Sequence, residues 1–352
     1  MHASRFWRTL DTGKIRCELC PRQCELAEGQ RGFCFVRAHE GGQMRLTTYG
    51  RSSGFCVDPI EKKPLNHFHP GSSVLSFGTA GCNLACKFCQ NWDLSKSRQM
   101  ERVAELAPPQ AIAQAAHHRG CRSVAYTYND PVIFAEYAVD TALACRELGV
   151  ASVAVTAGYM ELEPAAWFFS HMDAANVDLK AFSEDFYHKL TGGHLQPVLE
   201  LLRYLAQETR VWVELTTLLI PGLNDSEAEL ERLTRWVVEA MGPEVPIHFT
   251  AFHPAWQMQS LPRTPTETLF KARQIALANG LKFPYIGNVN DWRGSSTWCP
   301  GCGQRVIERH GYTLGCWELT TEGACRFCGV TIPGQLRGAP GQWGARREPV
   351  RV

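Results

Sequence analysis

Between residue 73 and about residue 290, short apolar runs alternate with amphipathic stretches. The apolar runs predict buried strands, and the stretches between them, where apolar residues recur three or four positions apart, predict helices. The clearest predicted helices are Pro108–His118, Val132–Leu148 and Ala228–Met241. The predicted strands are Val74–Phe77, Ser123–Tyr128, Ala151–Thr156, Asn176–Leu179, Val211–Ile220, Ile247–Phe252 and Phe283–Ile286.

Repeated strand–helix units predict an α/β fold, in which a parallel sheet is built by right-handed crossovers. The chain lacks the glycine fingerprint of a doubly wound nucleotide-binding sheet, so the pattern favours a (β/α) barrel, partial or complete. Functional groups of such barrels collect beyond the carboxyl ends of the strands. We therefore expect the chemistry of this protein at that face.

The two ends of the chain differ in composition from the predicted barrel. Residues 1–72 form a Cys-rich and Gly-rich segment, and residues 292–337 contain paired cysteines and predict a small ribbon-like module. The barrel is assigned to residues 73–291. Residues 338–352 are rich in Gly, Pro and Arg, a composition typical of a disordered tail.

Composition narrows the class of protein. Of the 352 residues, 45% are hydrophobic and 20% are charged, and the formal net charge is +1. A neutral chain gives no electrostatic reason to expect a nucleic-acid partner or an anionic membrane surface. The sequence shows no secretory signal and no membrane-spanning run, so we expect a cytoplasmic protein with no membrane partner.

The 15 cysteines change this picture most, because most of them fall into three close groups. In a cytoplasmic chain such clustering predicts metal ligands rather than disulfides. The central group, Cys82, Cys86 and Cys89, follows the first predicted barrel strand with C-x3-C-x2-C spacing. Three thiolates can hold three irons of a 4Fe–4S cluster and leave the fourth iron open. The alternatives are a zinc site with a distant fourth ligand, or buried structural cysteines.

This loop resembles the signature of the radical S-adenosylmethionine (SAM) superfamily, C-x3-C-x-aromatic-C, with Phe88 at the aromatic position. The resemblance implies that the amino and carboxylate groups of SAM chelate the open iron. It also implies that one-electron reduction, by a protein such as flavodoxin or ferredoxin, cleaves SAM to methionine and a 5′-deoxyadenosyl radical. The cofactor carries this chemistry, and the protein supplies binding and orientation.

Motifs after the later strands add candidate SAM ligands. Tyr128-Asn129-Asp130-Pro131 is similar to the superfamily motif Gly-Gly-Glu-Pro, whose acid holds the SAM amino group. Asp130 is one methylene shorter than that Glu, and an Asp before Pro also suits a helix N-cap. The two roles are compatible.

Four further candidates lie at the ends of later strands. Thr156 ends the third strand, and Asp178 and Lys180 share one face of the fourth, which the resemblance places beside the methionine part of SAM. A structural salt bridge between the two charges is the alternative. His253 resembles the histidine that reaches the SAM carboxylate in activating enzymes of glycyl-radical enzymes. Uncharged residues that could face the substrate are Thr216, Thr217, Asn288 and Asn290.

The outer cysteine groups have four members each. Cys299, Cys302, Cys325 and Cys328 form two C-x2-C pairs, which predict a structural zinc ribbon, with a rubredoxin-type iron or an auxiliary cluster as the alternative. The N-terminal four could bind zinc or a second cluster, and zinc is favoured because their spacing reserves no open iron. These residues are Cys17, Cys20, Cys24 and Cys34.

Taken together, the cysteine groups, the Asp58–Leu65 stretch and the Tyr-Thr-Tyr-Asn-acid-Pro strand end look like the AmmeMemoRadiSam-system radical SAM family. That family is related to the activating enzymes of glycyl-radical enzymes. Its gene neighbourhoods make Memo-type and AMMECR-type proteins candidate partners. The Asp58–Leu65 stretch itself predicts either a cover or wall of the site, or a polar surface linker.

The first functional hypothesis is a radical SAM enzyme that acts on a small molecule or a protein residue. The second is an activating enzyme that installs a glycyl radical in a partner protein. A zinc-ribbon protein that binds or modifies RNA is a third, although the neutral charge and the lack of a basic, aromatic-rich stripe argue against it.

Overall fold

A computed structural model describes residues 2–97 and 105–352 of the chain. Its N-terminal part contains two antiparallel sheets of short strands. The strands are β1 (His2–Ala3), β2 (Trp7–Thr9), β3 (Ile15–Cys17), β4 (Glu25–Leu26), β5 (Arg37–Glu40) and β6 (Gln43–Leu46). One sheet has the order β1-β6-β5 and the other β2-β3-β4. Gly41 and Gly42 close the β5–β6 hairpin with φ angles of 63° and 72°, and a type I′ turn requires positive φ at both positions.

The largest sheet contains seven parallel strands. Nine of its ten strands are β7 (Arg51–Pro59), β8 (Ser73–Gly78), β9 (Glu105–Leu106), β10 (Ser123–Tyr126), β11 (Ala151–Thr156), β12 (Ala174–Asp178), β13 (Trp212–Leu219), β14 (Ile247–Ala251) and β15 (Pro284–Gly287), and the tenth, β19 (Glu348–Pro349), lies near the C-terminus. The order is β15-β14-β13-β12-β11-β10-β8-β7. Strand β9 pairs with Arg51 and Ser52, at the N-terminal end of β7. Strands β8 and β10 to β15 are parallel, whereas β7 is antiparallel to β8. Within the described ranges β15 pairs only with β14, so the barrel is partial.

Helices connect successive parallel strands. They are α1 (Pro109–His118), α2 (Ala135–Glu147), α3 (Leu162–Phe169), α4 (Leu195–Glu208), α5 (Glu227–Met241) and α6 (Thr266–Ala278). In α4, the buried residues Val198, Leu201, Leu202 and Leu205 form the apolar stripe of a helix that packs on a sheet. Among the described helices, none has both the length and the apolar composition needed to cross a bilayer.

The predicted α/β class and parallel strands are confirmed, and each predicted strand lies within two residues of an observed one at either end. Every residue of β8 and of β14 is buried, because helices cover one face and the barrel interior fills the other. Of the three clearest predicted helices, only Val132–Leu148 is not an α-helix throughout. Its first turn, Pro131–Phe134, is a 3-10 helix that precedes α2.

The segment after the barrel folds into a small antiparallel sheet. A short helix, Trp292–Ser295, leads into β16 (Thr297–Trp298), β17 (Arg305–His310) and β18 (Thr313–Trp317), in that spatial order. Arg309 of β17 is almost fully buried, and its guanidinium donates to the Asn66 carbonyl (2.7 Å) and to Thr297 Oγ1 (2.7 Å). This side chain fastens the module to the segment that precedes the barrel.

Residues 338–352 differ from the disordered tail expected from their composition. Strand β19 (Glu348–Pro349) is antiparallel to β7, and the Gly341 N–H donates to the Pro70 carbonyl (2.8 Å). A Cβ at Gly341 would overlap the backbone of Gly71, so this close approach requires glycine. The edge of β7 supplies the backbone partners that composition alone does not reveal. Other short helices lie at Ile60–Lys62, Trp92–Ser95, Glu184–Phe186 and Tyr187–Thr191, the last a π-helix.

A buried carboxylate organises the barrel interior. Glu214 of β13 accepts hydrogen bonds from the N–H groups of Asn66 (2.9 Å) and His67 (2.7 Å), from Trp212 Nε1 (3.0 Å) and from His248 Nε2 (2.7 Å). Burial raises the pKa of Glu214, but the contact with His248 and the other donors lowers it overall. The carboxylate therefore ties the residues before β8 to the middle of the sheet.

We expect Glu214→Gln to lower the free energy of unfolding by about 1–3 kcal/mol at pH 7, because the new amide NH₂ would face buried donors. The carboxylate stabilises the fold above its unfolded pKa of about 4.3, and this contribution is lost as the pH falls below that value. The difference between wild type and variant should therefore shrink at lower pH. Urea unfolding of both proteins at several pH values measures it.

Glu244→Gln is the matched control, since Glu244 is exposed and pairs only with Lys282 across 2.8 Å among the contacts described. We expect this control substitution to change the free energy of unfolding by less than about 0.5 kcal/mol. Equal effects of the two substitutions would contradict the role given to Glu214.

Candidate active site

A cavity of about 270 Å³ lies at the carboxyl ends of the parallel strands, where functional groups of such barrels collect. Residues from the loops after β8, β10, β11 and β12 form much of its wall. Of the residues predicted from the sequence, the wall includes Cys82, Phe88, Cys86, Cys89, Tyr128, Asn129, Asp130, Thr156, Asp178 and Lys180. The fold thus brings together side chains that are far apart along the chain.

The cysteine loop after β8 is held by its backbone. The N–H of Ala85 donates to the Thr191 carbonyl (2.7 Å), and the N–H of Lys87 donates to the Leu190 carbonyl (2.9 Å). Both acceptors belong to the π-helix Tyr187–Thr191, a helix type found often at functional sites. The three thiols are half-buried and line the same cavity. Phe88 between them is buried and packs against Phe186.

Two glycines allow this loop to turn. Gly81 has a φ of 87°, and a Cβ there would overlap the carbonyl oxygen of Cys34. A Cβ at Gly78 would overlap the carbonyl oxygen of Thr127. Larger residues at either position would push the loop away from the strand ends, so these glycines determine where the cysteines lie.

Asp130 is buried, and its carboxylate already has protein partners. Oδ1 accepts from the Val132 N–H (3.1 Å) and from Thr156 Oγ1 (2.8 Å), and Oδ2 accepts from the Ala157 N–H (2.9 Å). It is thus the N-cap of the 3-10 turn, and it also lines the cavity. Burial raises the pKa of Asp130 despite these hydrogen bonds. A carboxylate has about four acceptor sites, which leaves one for a ligand.

The residues before Asp130 connect three segments of the site. The Asn129 amide donates to the Gly81 carbonyl (2.9 Å), so it reaches the turn before the first cysteine. Tyr128 has a φ of 71°, a left-handed conformation that costs energy in a bulky residue and is often found at functional sites. Its carbonyl accepts from the Asn91 side chain (2.8 Å), just beyond the cysteine loop.

Asp178 and Lys180 form an ion pair, with 2.8 Å between Oδ2 and Nζ. Both line the cavity, so the salt bridge and a role in the site coexist. Burial lowers the pKa of Lys180, but the Asp178 carboxylate and the Cys86 sulfur raise it overall. The Lys180 ammonium also lies 5.9 Å from the Phe88 ring centroid. Lys180 is therefore one of the cations beside the cysteine loop, together with Lys96, whose ammonium donates to the Leu84 carbonyl (3.1 Å).

His253 is not among the described residues that line the cavity. It follows β14 and is half-buried, whereas Thr250, inside β14, lines the wall. Of the uncharged candidates, Thr216 and Asn288 line the cavity.

Several lining residues were not predicted from the sequence. They are Leu84, Gln90, Asn91, Ser95, Val155, Ala157, Thr127, Leu218 and Thr250. Thr250 lies near the end of a predicted strand, as Thr216 does, so its place in the cavity wall could have been predicted from the sequence. Ser95 carried no such signal, because it reaches the site through the path of the chain outside the barrel strands.

The Asp58–Leu65 stretch is not a surface linker. Asp58 is fully buried and pairs with Lys62 (2.7 Å) and Lys63 (2.9 Å), and Tyr128 donates a long hydrogen bond to it (3.4 Å). Burial raises the pKa of Asp58, but the two ammonium groups lower it to about 2 overall. With Pro64 in the cavity wall, this stretch forms one side of the site.

The C-terminal cysteines have the geometry of a single-ion site. The Sγ atoms of Cys299, Cys302, Cys325 and Cys328 all lie within 4.8 Å of one another. Two of the separations, Cys299–Cys328 and Cys302–Cys325, are 3.5 and 3.8 Å. A zinc tetrahedron with Zn–S bonds of about 2.3 Å has edges of about 3.8 Å. Burial raises the pKa of Cys325, but backbone N–H groups at Cys328 and Phe327 lower it to about 7, which favours a thiolate.

The N-terminal cysteines also come together. All four line one small cavity, which Arg22, Arg37 and Asn83 complete. Across the part of the chain that the structure describes, however, only the C-terminal group places three or more Cys, His, Asp or Glu ligand atoms within 4.8 Å of one another. The N-terminal cysteines therefore form a wider group than a single-ion site.

Comparison with known proteins agrees with the geometry of the cavity. A family model of the Radical SAM superfamily matches residues 77–234, which include the cysteine loop, Asp130, Asp178 and Lys180. The chain is also 39% identical over 333 residues to the uncharacterized protein MJ0808 of Methanocaldococcus jannaschii, a match that covers 94% of this chain and 99% of that protein. The chain belongs to the radical SAM superfamily.

This radical SAM protein is related to activating enzymes. It is 23% identical over 168 residues to the pyruvate formate-lyase-activating enzyme of Clostridium pasteurianum, covering 47% of this chain and 68% of that enzyme. A similar match to the pyruvate formate-lyase 1-activating enzyme of Escherichia coli covers 52% of this chain and 75% of that enzyme. Among solved structures, a radical SAM methyltransferase from Sphaerobacter thermophilus overlaps 62% of this chain and 67% of that one, with 18% identity and a TM-score of 0.49.

Membership of the superfamily implies a 4Fe–4S cluster and SAM, and the residues of the radical SAM site fit both. Three thiols face one cavity, and no fourth cysteine lines it among the residues described. Burial raises the pKa of Cys82 and Cys86, so as thiolates they need a metal for compensation. The cavity beside them contains both an acid, Asp130, and a cation, Lys180, which suits the charged ends of an amino acid.

We expect Cys302→Ser to lower the zinc content by about one ion per chain and to destabilise the protein, because a four-thiolate site contributes its binding energy to folding. Elemental analysis and thermal unfolding measure both effects. Cys316→Ser is the control, since Cys316 is exposed and lies outside the group of four. Iron in place of zinc in the wild type, lost in Cys302→Ser, would instead indicate a rubredoxin-type site.

Proposed function

We propose that this protein reductively cleaves SAM at a 4Fe–4S cluster on Cys82, Cys86 and Cys89, and directs the resulting 5′-deoxyadenosyl radical at a substrate in the adjacent cavity. The observation that carries the proposal is the wall of that cavity, which joins three thiols to a buried acid, Asp130, and a half-buried cation, Lys180. When bound, the cluster and SAM supply the electron and the radical. The chain's own residues bind, orient and exclude water.

Asp130 is proposed to hold the amino group of SAM through its remaining acceptor site. Its other acceptor sites are taken by Val132, Thr156 and Ala157, which hold the carboxylate in one orientation. A fixed acceptor loses little entropy when the ligand binds. Thr156 acts by positioning Asp130.

Asp178 and Lys180 are proposed to lie beside the methionine part of SAM. The Lys180 ammonium is the charge-assisted donor for a ligand carboxylate, and Asp178 keeps it protonated and oriented. Phe88 covers the same side with an apolar ring. His253, which does not line the cavity, has no role in this proposal.

The substrate is proposed to occupy the part of the cavity walled by Thr216, Leu218, Thr250 and Asn288. These side chains are uncharged, so they suit hydrogen bonds to a neutral group rather than an ion pair. The single electron is expected from a flavodoxin- or ferredoxin-type protein. Memo-type and AMMECR-type proteins stay candidate partners from the family resemblance.

A second candidate function is activation of a glycyl-radical enzyme, favoured by the similarity to two pyruvate formate-lyase-activating enzymes. The two functions differ in where the radical ends. A stable protein-centred glycyl radical in a partner, seen by electron paramagnetic resonance (EPR), would support activation.

We expect the wild type, reconstituted anaerobically with iron and sulfide, to form 5′-deoxyadenosine from SAM and dithionite, and Cys86→Ala to form none above background. Loss of one thiolate leaves one iron of the cluster without its ligand. Mass spectrometry quantifies the product. Cys145→Ala is the control, because Cys145 is buried in the core outside the cavity. Product from a homogeneous Cys86→Ala protein would contradict the proposal.

We expect Asp130→Asn to weaken SAM binding by about 10- to 100-fold, since a hydrogen bond to a charged group contributes about 1.5–3 kcal/mol. Thr156→Val, which removes one donor but keeps the carboxylate, should weaken binding less. Equilibrium dialysis with labelled SAM measures both. Unchanged affinity in Asp130→Asn with an intact cluster would remove Asp130 from the SAM site.

A further inference from the structure

The N-terminal cysteines form a second metal-binding group next to the first. Cys17 and Cys20 flank the turn after β3, and Cys24 and Cys34 complete the group around one small cavity. Three of them are buried, and Cys24 is half-buried. All four are free thiols, and a close group of free thiols is typical of a site that binds a metal ion or an iron–sulfur cluster.

The spacing of the sulfurs distinguishes between the metals. The C-terminal four-cysteine group of this same chain has all its sulfurs within 4.8 Å, as one tetrahedral ion requires. The N-terminal group, in the same described structure, is not gathered to that distance. A Cβ at Gly32 would lie 3.8 Å from the sulfurs of both Cys24 and Cys34, so both sulfurs pack beside this glycine. A cubane holds its thiolates wider apart, because each sulfur binds its own iron.

The N-terminal cysteine group lies against the cysteine loop that contains Cys82, Cys86 and Cys89. The Cys34 carbonyl packs onto Gly81, which immediately precedes Cys82. Asn83, the residue after Cys82, lines the N-terminal cavity and anchors its side chain on the Tyr159 carbonyl (2.8 Å). Arg22, between Cys20 and Cys24, donates to the Asn83 carbonyl and to the Gly192 carbonyl (2.6 Å). Only one layer of residues therefore separates the two cysteine groups.

The other side of the group approaches solvent. Phe33, next to Cys34, is 49% exposed, and the Arg22 guanidinium lies 3.5 Å from its ring centroid. The Phe33 N–H lies 3.5 Å from Cys24 Sγ. A redox partner that docks on this surface would come close to the N-terminal group.

A buried cation stands beside the thiols. Arg37 lines the cavity, is 1% exposed and pairs with Glu136, while its Nε donates to the Ile133 carbonyl (3.2 Å). A cluster held by four thiolates is anionic, and its potential depends on nearby charge and hydrogen bonds. Arg37 offers a fixed positive charge for that purpose.

We propose that Cys17, Cys20, Cys24 and Cys34 bind a second 4Fe–4S cluster, in which every iron has a protein ligand, and that it relays single electrons to the cluster on Cys82, Cys86 and Cys89. One electron enters from a reduced flavodoxin- or ferredoxin-type donor and one leaves to the catalytic cluster, so no atom or proton is transferred. With no open iron this cluster cannot bind SAM. The electron-relay role rests on the proposed function, whereas the identity of the metal does not.

The test of the metal uses the full chain in which Cys82, Cys86 and Cys89 are all replaced by Ala. After anaerobic reconstitution we expect about four irons per chain and, on reduction, a cluster EPR signal that SAM does not change. No iron, with about two zinc ions per chain, would overturn the proposal in favour of zinc. This readout does not depend on SAM cleavage, so failure of the proposed function would not imitate it.

The complementary variant is Cys20→Ser with Cys24→Ser, and Cys316→Ser is its matched control. We expect the double variant to lose about four irons, keep the SAM-sensitive EPR signal and lose most 5′-deoxyadenosine formation driven by reduced flavodoxin, while dithionite still supports it. Equal loss with both reductants, or no loss with flavodoxin, would overturn the relay. If the double variant does not fold, the triple Ala variant still decides the metal.

Discussion

The close packing of Gly81 against the Cys34 carbonyl is the constraint on which the active face depends. A side chain at residue 81 would push the cysteine loop off the end of β8, and Gly78 meets the same limit at Thr127. Since the loop is tied at its other side to the π-helix through Ala85 and Lys87, its thiols can face only the cavity. Backbone contacts thus determine where the three thiols lie.

Buried polar side chains also hold separate segments of the protein together. Asp130 joins the ends of β10 and β11, and Glu214 joins the middle of β13 to the segment that precedes β8. Arg309 connects that same segment to the C-terminal module. Each of these groups is satisfied by several partners, as buried charge requires. The barrel, the ribbon and the site therefore share one hydrogen-bonded frame.

Much of this could be predicted from the sequence, and what could not has physical reasons. Periodicity determines the strands, and the cysteine loop and Asp130 follow strand ends that the pattern locates, so their meeting at one face was predictable. His253 also follows a strand, but it is not among the described residues that line the cavity. Pro64 and Asn91 lie outside the barrel pattern, and the pairing of β19 with β7 depends on a distant edge that composition does not reveal.

Direct chelation of SAM at the open iron is the central claim. Electron–nuclear double resonance of the reduced cluster tests it, with SAM labelled by ¹⁵N at the amino group and ¹³C at the carboxylate. The account predicts hyperfine coupling to both labels in the wild type and in a protein with the N-terminal cysteines replaced. A reduced cluster on Cys82, Cys86 and Cys89 that couples to neither label at saturating SAM would contradict it.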